Sequence, residues 1–167
     1  MEHDTALGIV RIPLSGKKGA GKSVIVDVED AERLGLTEMS WNLGTKYAVR
    51  NTMTRPRTAL LMHRFIMDAP KGICVDHING DTLDNRRCNL RLATYSENQM
   101  NRKVASISLS GLKGVSTAVK RNGAVSYIAT IQINGKRYSL GSHKTAQAAH
   151  LAYQEGAKRL FGEFAHF

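Results

Sequence analysis

The sequence has two cysteines, Cys74 and Cys88, and offers neither a C-x-x-C pair nor a Cys/His set at zinc-ligand spacing. That excludes a disulfide-stapled scaffold and a structural zinc site, and leaves two free thiols, as in an intracellular protein. No apolar run approaches the roughly 18 residues of a membrane span, and the start, Met1-Glu2-His3-Asp4, is not a basic segment leading into an apolar one. A soluble, unexported chain with no membrane partner is expected.

Acidic residues are also scarce: 14 Asp and Glu stand against 24 Lys and Arg, for a formal charge of +10 and a pI near 9.9. Such an excess suits a polyanion, because clustered cations gain affinity by releasing phosphate counterions. At 42% apolar residues, the 167-residue chain can still build packed cores, as one ordinary domain or two small ones. Two is the better reading, because strand-like and helix-like patterns restart after the small, polar stretch at 104–110. Residues 1–103 carry 16 basic and 12 acidic side chains, residues 104–167 carry 8 and 2, so the smaller piece is the more basic.

Gly16-Lys17-Lys18-Gly19-Ala20-Gly21-Lys22-Ser23 fits the nucleotide-binding P-loop expression G-x-x-x-x-G-K-S. A phosphate cradle must run into a helix whose first amides face the phosphates, whereas here an apolar, β-branched run, Ser23 to Val28, follows. The segment reads as two strands joined by a glycine-lysine loop, and no nucleotide cofactor is expected. Asp27 or Asp30 can then cap a short helix through Leu34, Tyr47 to Arg50 and Thr58 to Met67 add apolar runs, and Trp41 fills core.

The chemistry concentrates between residues 73 and 101. A short strand ends in Asp76-His77, an Asn/Asp/Gly loop follows, Leu90 to Ala93 is a second strand, and Thr94 or Ser96 can cap a helix. This β-loop-β-α order lets Asp76 and Asn98 converge, with His77 beside them. A carboxylate and an amide oxygen are hard donors suited to Mg2+, with Mn2+ as a substitute. An imidazole with a reference pKa of about 6.5 can take a proton from an attacking water. The trio therefore points to phosphodiester hydrolysis.

D-H-I-N-G-D, D-N-R-R-C-N-L-R and S-E-N-Q resemble the HNH nucleases of the ββα-metal group, especially phage-type homing endonucleases. The resemblance implies His77 as general base, Asp76 and Asn98 as metal ligands, and Asn89 as the central asparagine that ties the intervening loop. His63 and Asn101 resemble recurrent features of these proteins. Packed histidine and helix surface are equally good accounts of those two. Arg86, Arg87, Arg91, Arg102 and Lys103 surround the motif and could hold the DNA backbone; a solvated basic surface is the plainer account. The resemblance also implies a phage or mobile-element origin and a place in the cytoplasm of a bacterial host.

Beyond residue 110, three strand-like runs, Leu112 to Lys120, Tyr127 to Asn134 and Lys136 to Leu140, are separated by turn signals including Asn134-Gly135. Thr145 can cap a helix from Ala146 to about Leu160. Alternation sends Tyr127, Ala129, Ile131, Ile133, Tyr138 and Leu140 inward, leaving a polar face that a major groove can accept. G-V…Y-I-A-T-I…K-R-Y-S-L-G…T-A…A-A…A-Y is similar to the plant Apetala-two/ethylene-response-factor DNA-binding domain over 111–167. The similarity implies groove-facing positions at Lys113, Ser116, Thr130, Gln132, Arg137 and Ser139. Ser116, Thr130 and Gln132 stand where plant members carry arginine, glutamate and arginine, and Ser139 where they carry tryptophan, so no target sequence transfers.

The expected architecture is thus α+β: a ββα-metal HNH nuclease core with a β-rich N-terminal extension in 1–103, a linker at 104–110, and a three-stranded antiparallel sheet packed on one helix in 111–167. The expected activity is site-directed, homing-type cleavage of double-stranded DNA with one divalent metal. The alternative is a sequence-specific DNA-binding regulator with a vestigial nuclease core. Nothing in the sequence diagnoses dimerisation, so monomer and dimer both stay open.

Overall fold

Two β-branched, apolar segments early in the chain set up the first sheet. The computed structural model describes residues 2–4, 7–53, 55–101, 110–119 and 121–165, and its contacts divide the chain into two units, Met1–Thr94 and Tyr95–Phe167. Both mix small antiparallel sheets with few helices. The division falls ahead of the stretch read as a linker, most of which lies outside the described residues.

In the first unit, β1 (Glu2–Asp4), β2 (Ile9–Pro13) and β3 (Ser23–Asp27) form one sheet. The glycine-lysine loop is the β2–β3 turn. Its amides at Gly19, Ala20 and Lys22 donate to carbonyls of the same loop at 2.9–3.0 Å, and Ser23 opens a strand instead of a helix. Helix α1 (Val28–Arg33) follows. Asp27 stands at its N-cap position without a side-chain cap bond and instead accepts from the Arg87 amide at 2.7 Å. Asp30, 1% exposed, is paired with Arg33 and Arg87, so neither aspartate caps the helix as expected.

A second sheet contains β4 (Asn42–Leu43), β5 (Ala48–Asn51) and β6 (Ala59–Leu61), and β6 runs directly into α2 (Met62–Ile66). The hairpin of β7 (Cys74–His77) and β8 (Leu90–Ala93) completes the unit. One core joins these pieces: Val10, Ile12, Val24 and Val26 from the first sheet, with Leu36, Trp41, Met62, Ile66, Val75 and Leu90. Each large side chain buried there contributes roughly 1.5–3 kcal/mol of transfer free energy. Trp41 is fully buried and satisfies its one polar atom by donating Nε1–H to the Leu36 carbonyl at 3.0 Å.

The second unit holds α3 (Tyr95–Met100), then β9 (Val115–Val119), β10 (Val125–Ile133) and β11 (Lys136–His143), with β10 central, and α4 (Ala146–Phe161). Thr145 accepts from the Ala148 amide at 3.1 Å and starts α4. Its small residues Ala149, Gly156 and Ala157 are buried, and Tyr153 and Phe161 pack against Ile131. Asn134 and Gly135, at φ 50° and 78°, make the tight turn between β10 and β11.

Three details of this sheet differ from the sequence reading. β9 begins at Val115 and not at Leu112, because Gly114 takes φ 75° and the Ser110 hydroxyl holds a turn with the carbonyls of Leu112 and Val115. β11 extends to His143, because an irregularity between Ile128 and Thr130 absorbs one residue and pairing resumes at Ile128↔Ser142. Tyr138 pairs with Ile131 yet is 48% exposed, since β11 is an edge strand with no neighbour on its far side.

A Cβ at position 114 would fall inside the Tyr153 ring. Gly114→Ala should therefore lower the stability of the second unit by about 1–3 kcal/mol, the usual scale of overpacking, with positive-φ strain adding to it. Chemical denaturation checks this; an unchanged midpoint would contradict it.

Candidate active site

Antiparallel pairing of β7 with β8 puts Asp76 opposite Arg91 and His77 opposite Leu90. Asp76 and His77 are 4% and 5% exposed. A buried carboxylate needs a counter-charge, and Arg91 supplies it: Nε and Nη2 reach Oδ2 at 2.9 and 2.8 Å.

The loop from Ile78 to Asn89 is held by its own amides. Asn89 accepts from the Asn79 amide through Oδ1 at 2.9 Å and donates Nδ2–H to the Asp84 carbonyl at 2.8 Å. Asp84 in turn accepts from Asn79 Nδ2 at 3.0 Å and from Arg86 at 2.7 and 2.8 Å. Arg86 keeps the Asp84 carboxyl below its usual range, outweighing the upward push of burial. The first sheet reaches this loop as well. Ile25 N–H donates to the Leu83 carbonyl at 2.9 Å, and the Asn85 amide donates to the Ile25 carbonyl at 2.8 Å.

Asn85, 1% exposed, faces His77 with Oδ1 3.3 Å from Nε2. An amide oxygen only accepts, so Nε2 carries the ring proton and the basic lone pair lies on Nδ1. Two more rings flank the imidazole: His63 at 5.2 Å between centroids and Tyr47 at 5.8 Å, with Tyr47 and His63 4.7 Å apart. Burial lowers the His77 pKa; Asn85 and the carboxylates of Asp76, Asp81 and Asp84 oppose that shift without cancelling it. A neutral imidazole at neutral pH is the state a general base requires. Asn85 and Tyr47 were not singled out from the sequence. Asn85 sits inside the quoted D-N-R-R segment, whereas Tyr47 belongs to a distant segment with no local signal.

Three arginines read as phosphate contacts are engaged within the unit. Arg86 is on Asp84, Arg91 is on Asp76, and Arg87 pairs with Asp30 at 2.7 Å while donating to the Ile66 carbonyl at 3.0 Å. Their partners are buried carboxylates, while the Arg86 and Arg87 side chains stay 37% and 51% exposed. Arg102 and Lys103 lie outside the described residues. Asn98 is half-buried on α3 in the second unit, and Asn101, 8% exposed, follows that helix.

On the sheet of the second unit, Ser116, Gln132, Arg137 and Ser139 are exposed and Thr130 is half-buried. Gln132 pairs with Arg137, Thr130 with Ser139 and Ser116 with Ile128, which sets the five on one face. Lys113 departs from this group. Its ammonium donates to the Met100 carbonyl at 2.7 Å, and burial lowers its pKa to about 8.

Among the described residues no three His, Cys, Asp or Glu side chains gather as a metal cage. Asp76 contributes one hard carboxylate, which suits a site completed by an amide, waters and phosphate oxygens and does not suit a closed zinc cage. Nor, among the described residues, is any helix long and apolar enough to cross a membrane.

A buried Asp-His pair at a strand end, facing a loop tied by an asparagine, is the arrangement of an HNH nuclease, and the HNH endonuclease family model matches residues 68–100. The chain belongs to the HNH endonuclease family. It is 30% identical over 150 residues to an uncharacterised HNH endonuclease of Acanthamoeba polyphaga mimivirus, spanning 88% of this chain and 76% of the relative. It is also 35% identical over 98 residues to protein 3.8 of Escherichia phage T7, spanning 59% of this chain and 78% of that protein. No solved structure matches. Members of the family cut DNA and generally use a divalent metal, often Mg2+, and both relatives are virus-encoded.

Burial lowers the His63 pKa to about 3, further depressed by His77 and Arg64. Below about pH 6.5 the unfolded chain binds a proton at this position that the folded chain refuses, so stability present above pH 6.5 is lost as pH falls. At pH 5 this one residue should cost about 2 kcal/mol. Denaturant melts at pH 7 and pH 5 should show a smaller loss for His63→Phe than for wild type; equal losses would contradict it.

Proposed function

We propose that this chain is a metal-dependent, homing-type DNA endonuclease that hydrolyses one phosphodiester bond per active site. The observation that carries the reading is the buried Asp76-His77 pair at the end of β7, inside the segment matching the family, with His77 oriented by Asn85. Asp76 and Asn98, both within that segment, are the proposed metal ligands. When bound, a divalent metal would stabilise negative charge on the scissile phosphate and on the leaving oxygen. His77 would take the proton of the attacking water at Nδ1, with Asn85 holding Nε2–H so that the ring cannot turn. Asn89 would keep the loop in register with both strands. Mg2+ is the proposed physiological ion, with Mn2+ as its substitute.

The second unit is proposed as an Apetala-two/ethylene-response-factor-like docking domain. Support comes from the polar face formed by Ser116, Thr130, Gln132, Arg137 and Ser139 opposite a helix-covered face. Three strands about 4.8 Å apart make a plate that fits a major groove about 12 Å wide. Double-stranded DNA is the proposed partner, in the cytoplasm of a virus- or mobile-element-bearing bacterial host.

Wild-type protein should convert supercoiled plasmid carrying a target to nicked or linear product with Mg2+ or Mn2+ and not with EDTA. His77→Ala should be at least about 100-fold slower, the scale of a lost general base. Metal-independent or undiminished cutting would contradict the mechanism, and specific DNA binding without any cutting would favour a regulator with a vestigial nuclease core. Arg137→Ala should weaken target binding by about 1–3 kcal/mol in a gel-shift titration; unchanged affinity would remove the sheet face from the DNA interface.

A further inference from the structure

Arg91 was noted in the sequence only as one of several cations near the motif, but its position is particular. It stands directly opposite Asp76 in the β7–β8 ladder, and its Nε and Nη2 both reach the carboxylate oxygen Oδ2. The pair is enclosed, with side-chain exposures of 13% for Arg91 and 5% for Asp76. Two N–H groups of one planar guanidinium hold Oδ2 in place. The same contact has an opposite consequence for a metal, because a divalent ion at Asp76 would meet a carboxylate already neutralised by a neighbouring cation.

We propose that Arg91 is a positioning residue that both orients Asp76 and competes with the divalent metal for it, holding metal affinity low in the DNA-free protein. The inference rests on the reading of Asp76 as a metal ligand. A cation fixed against a carboxylate repels a second cation approaching the same group, and that repulsion is strong where little water screens it. Arg91→Gln should therefore bind Mn2+ at least about tenfold more tightly than wild type. Arg91→Lys, which retains the charge without the planar fork, should stay close to wild-type affinity.

The test is a titration of Mn2+ alone into full-length wild type, Arg91→Gln, Arg91→Lys and Asp76→Asn without DNA, following free Mn2+ by its paramagnetic resonance signal. Tighter binding by Arg91→Gln, abolished when Asp76→Asn is added to it, is the expected result. Equal or weaker binding by folded Arg91→Gln, with binding still dependent on Asp76, would overturn the competition and leave the ligand assignment standing. Binding indifferent to Asp76→Asn in every background would overturn the ligand assignment itself. If Arg91→Gln unfolds in EDTA, Mn2+ should refold it where NaCl of equal ionic strength does not; failure of that rescue would also overturn the proposal.

Discussion

Two backbone hydrogen bonds of Ile25 decide where the loop between β7 and β8 sits. By donating to Leu83 and accepting from Asn85, β3 takes the middle of the β7–β8 loop as an extra strand partner. Asn85 is thereby set against His77, and Asp27, two residues along β3, takes the Arg87 amide. The N-terminal sheet is therefore part of the construction of the proposed site. Loss of the Val24 and Val26 packing would move β3, and with it the Asn85 side chain that faces His77.

The loop itself works by making every polar group do a local task. Asn89 spans it from inside, Asp84 collects Asn79 and Arg86, and Arg87 reaches back to Asp30 beneath α1. Burial pushes the Asp30 carboxyl up, but the hydrogen bonds and charges of Arg87 and Arg33 prevail and hold it below its ordinary range. Removing the arginines of such a pair leaves a buried carboxylate without compensation, which costs far more than the pair contributes. That asymmetry explains why a small hairpin can hold its geometry without disulfides or a large core.

The sequence revealed the local parts well and the long-range parts poorly. Period-two alternation and the Asn134-Gly135 turn made the β10–β11 hairpin legible, and the β-branched run after Ser23 was enough to separate the β2–β3 loop from a phosphate-binding loop. The β7–loop–β8 hairpin that carries Asp76, His77 and Asn89 was legible because its strands and turn residues lie in one short segment. The aromatic cage around His77 was not, since Tyr47 and His63 arrive from separate elements and nothing in their neighbours signals a shared destination. The partners of the arginines were not legible for a related reason: a charge's partner is a matter of tertiary contact, and Arg86, Arg87 and Arg91 each find a buried carboxylate. The contact of Lys113 with the Met100 carbonyl was not legible either, because the turn at Gly114 departs from the strand that alternation anticipates.

The central claim is that a single divalent ion bound through Asp76 acts on DNA beside His77. Anomalous diffraction from crystals of His77→Ala bound to target DNA and soaked in Mn2+ tests it most directly. The account predicts one strong manganese peak bonded to the Asp76 carboxylate and the Asn98 amide oxygen, touching a DNA phosphate. A seated DNA duplex with the manganese elsewhere, or with no metal bonded to Asp76, would contradict it.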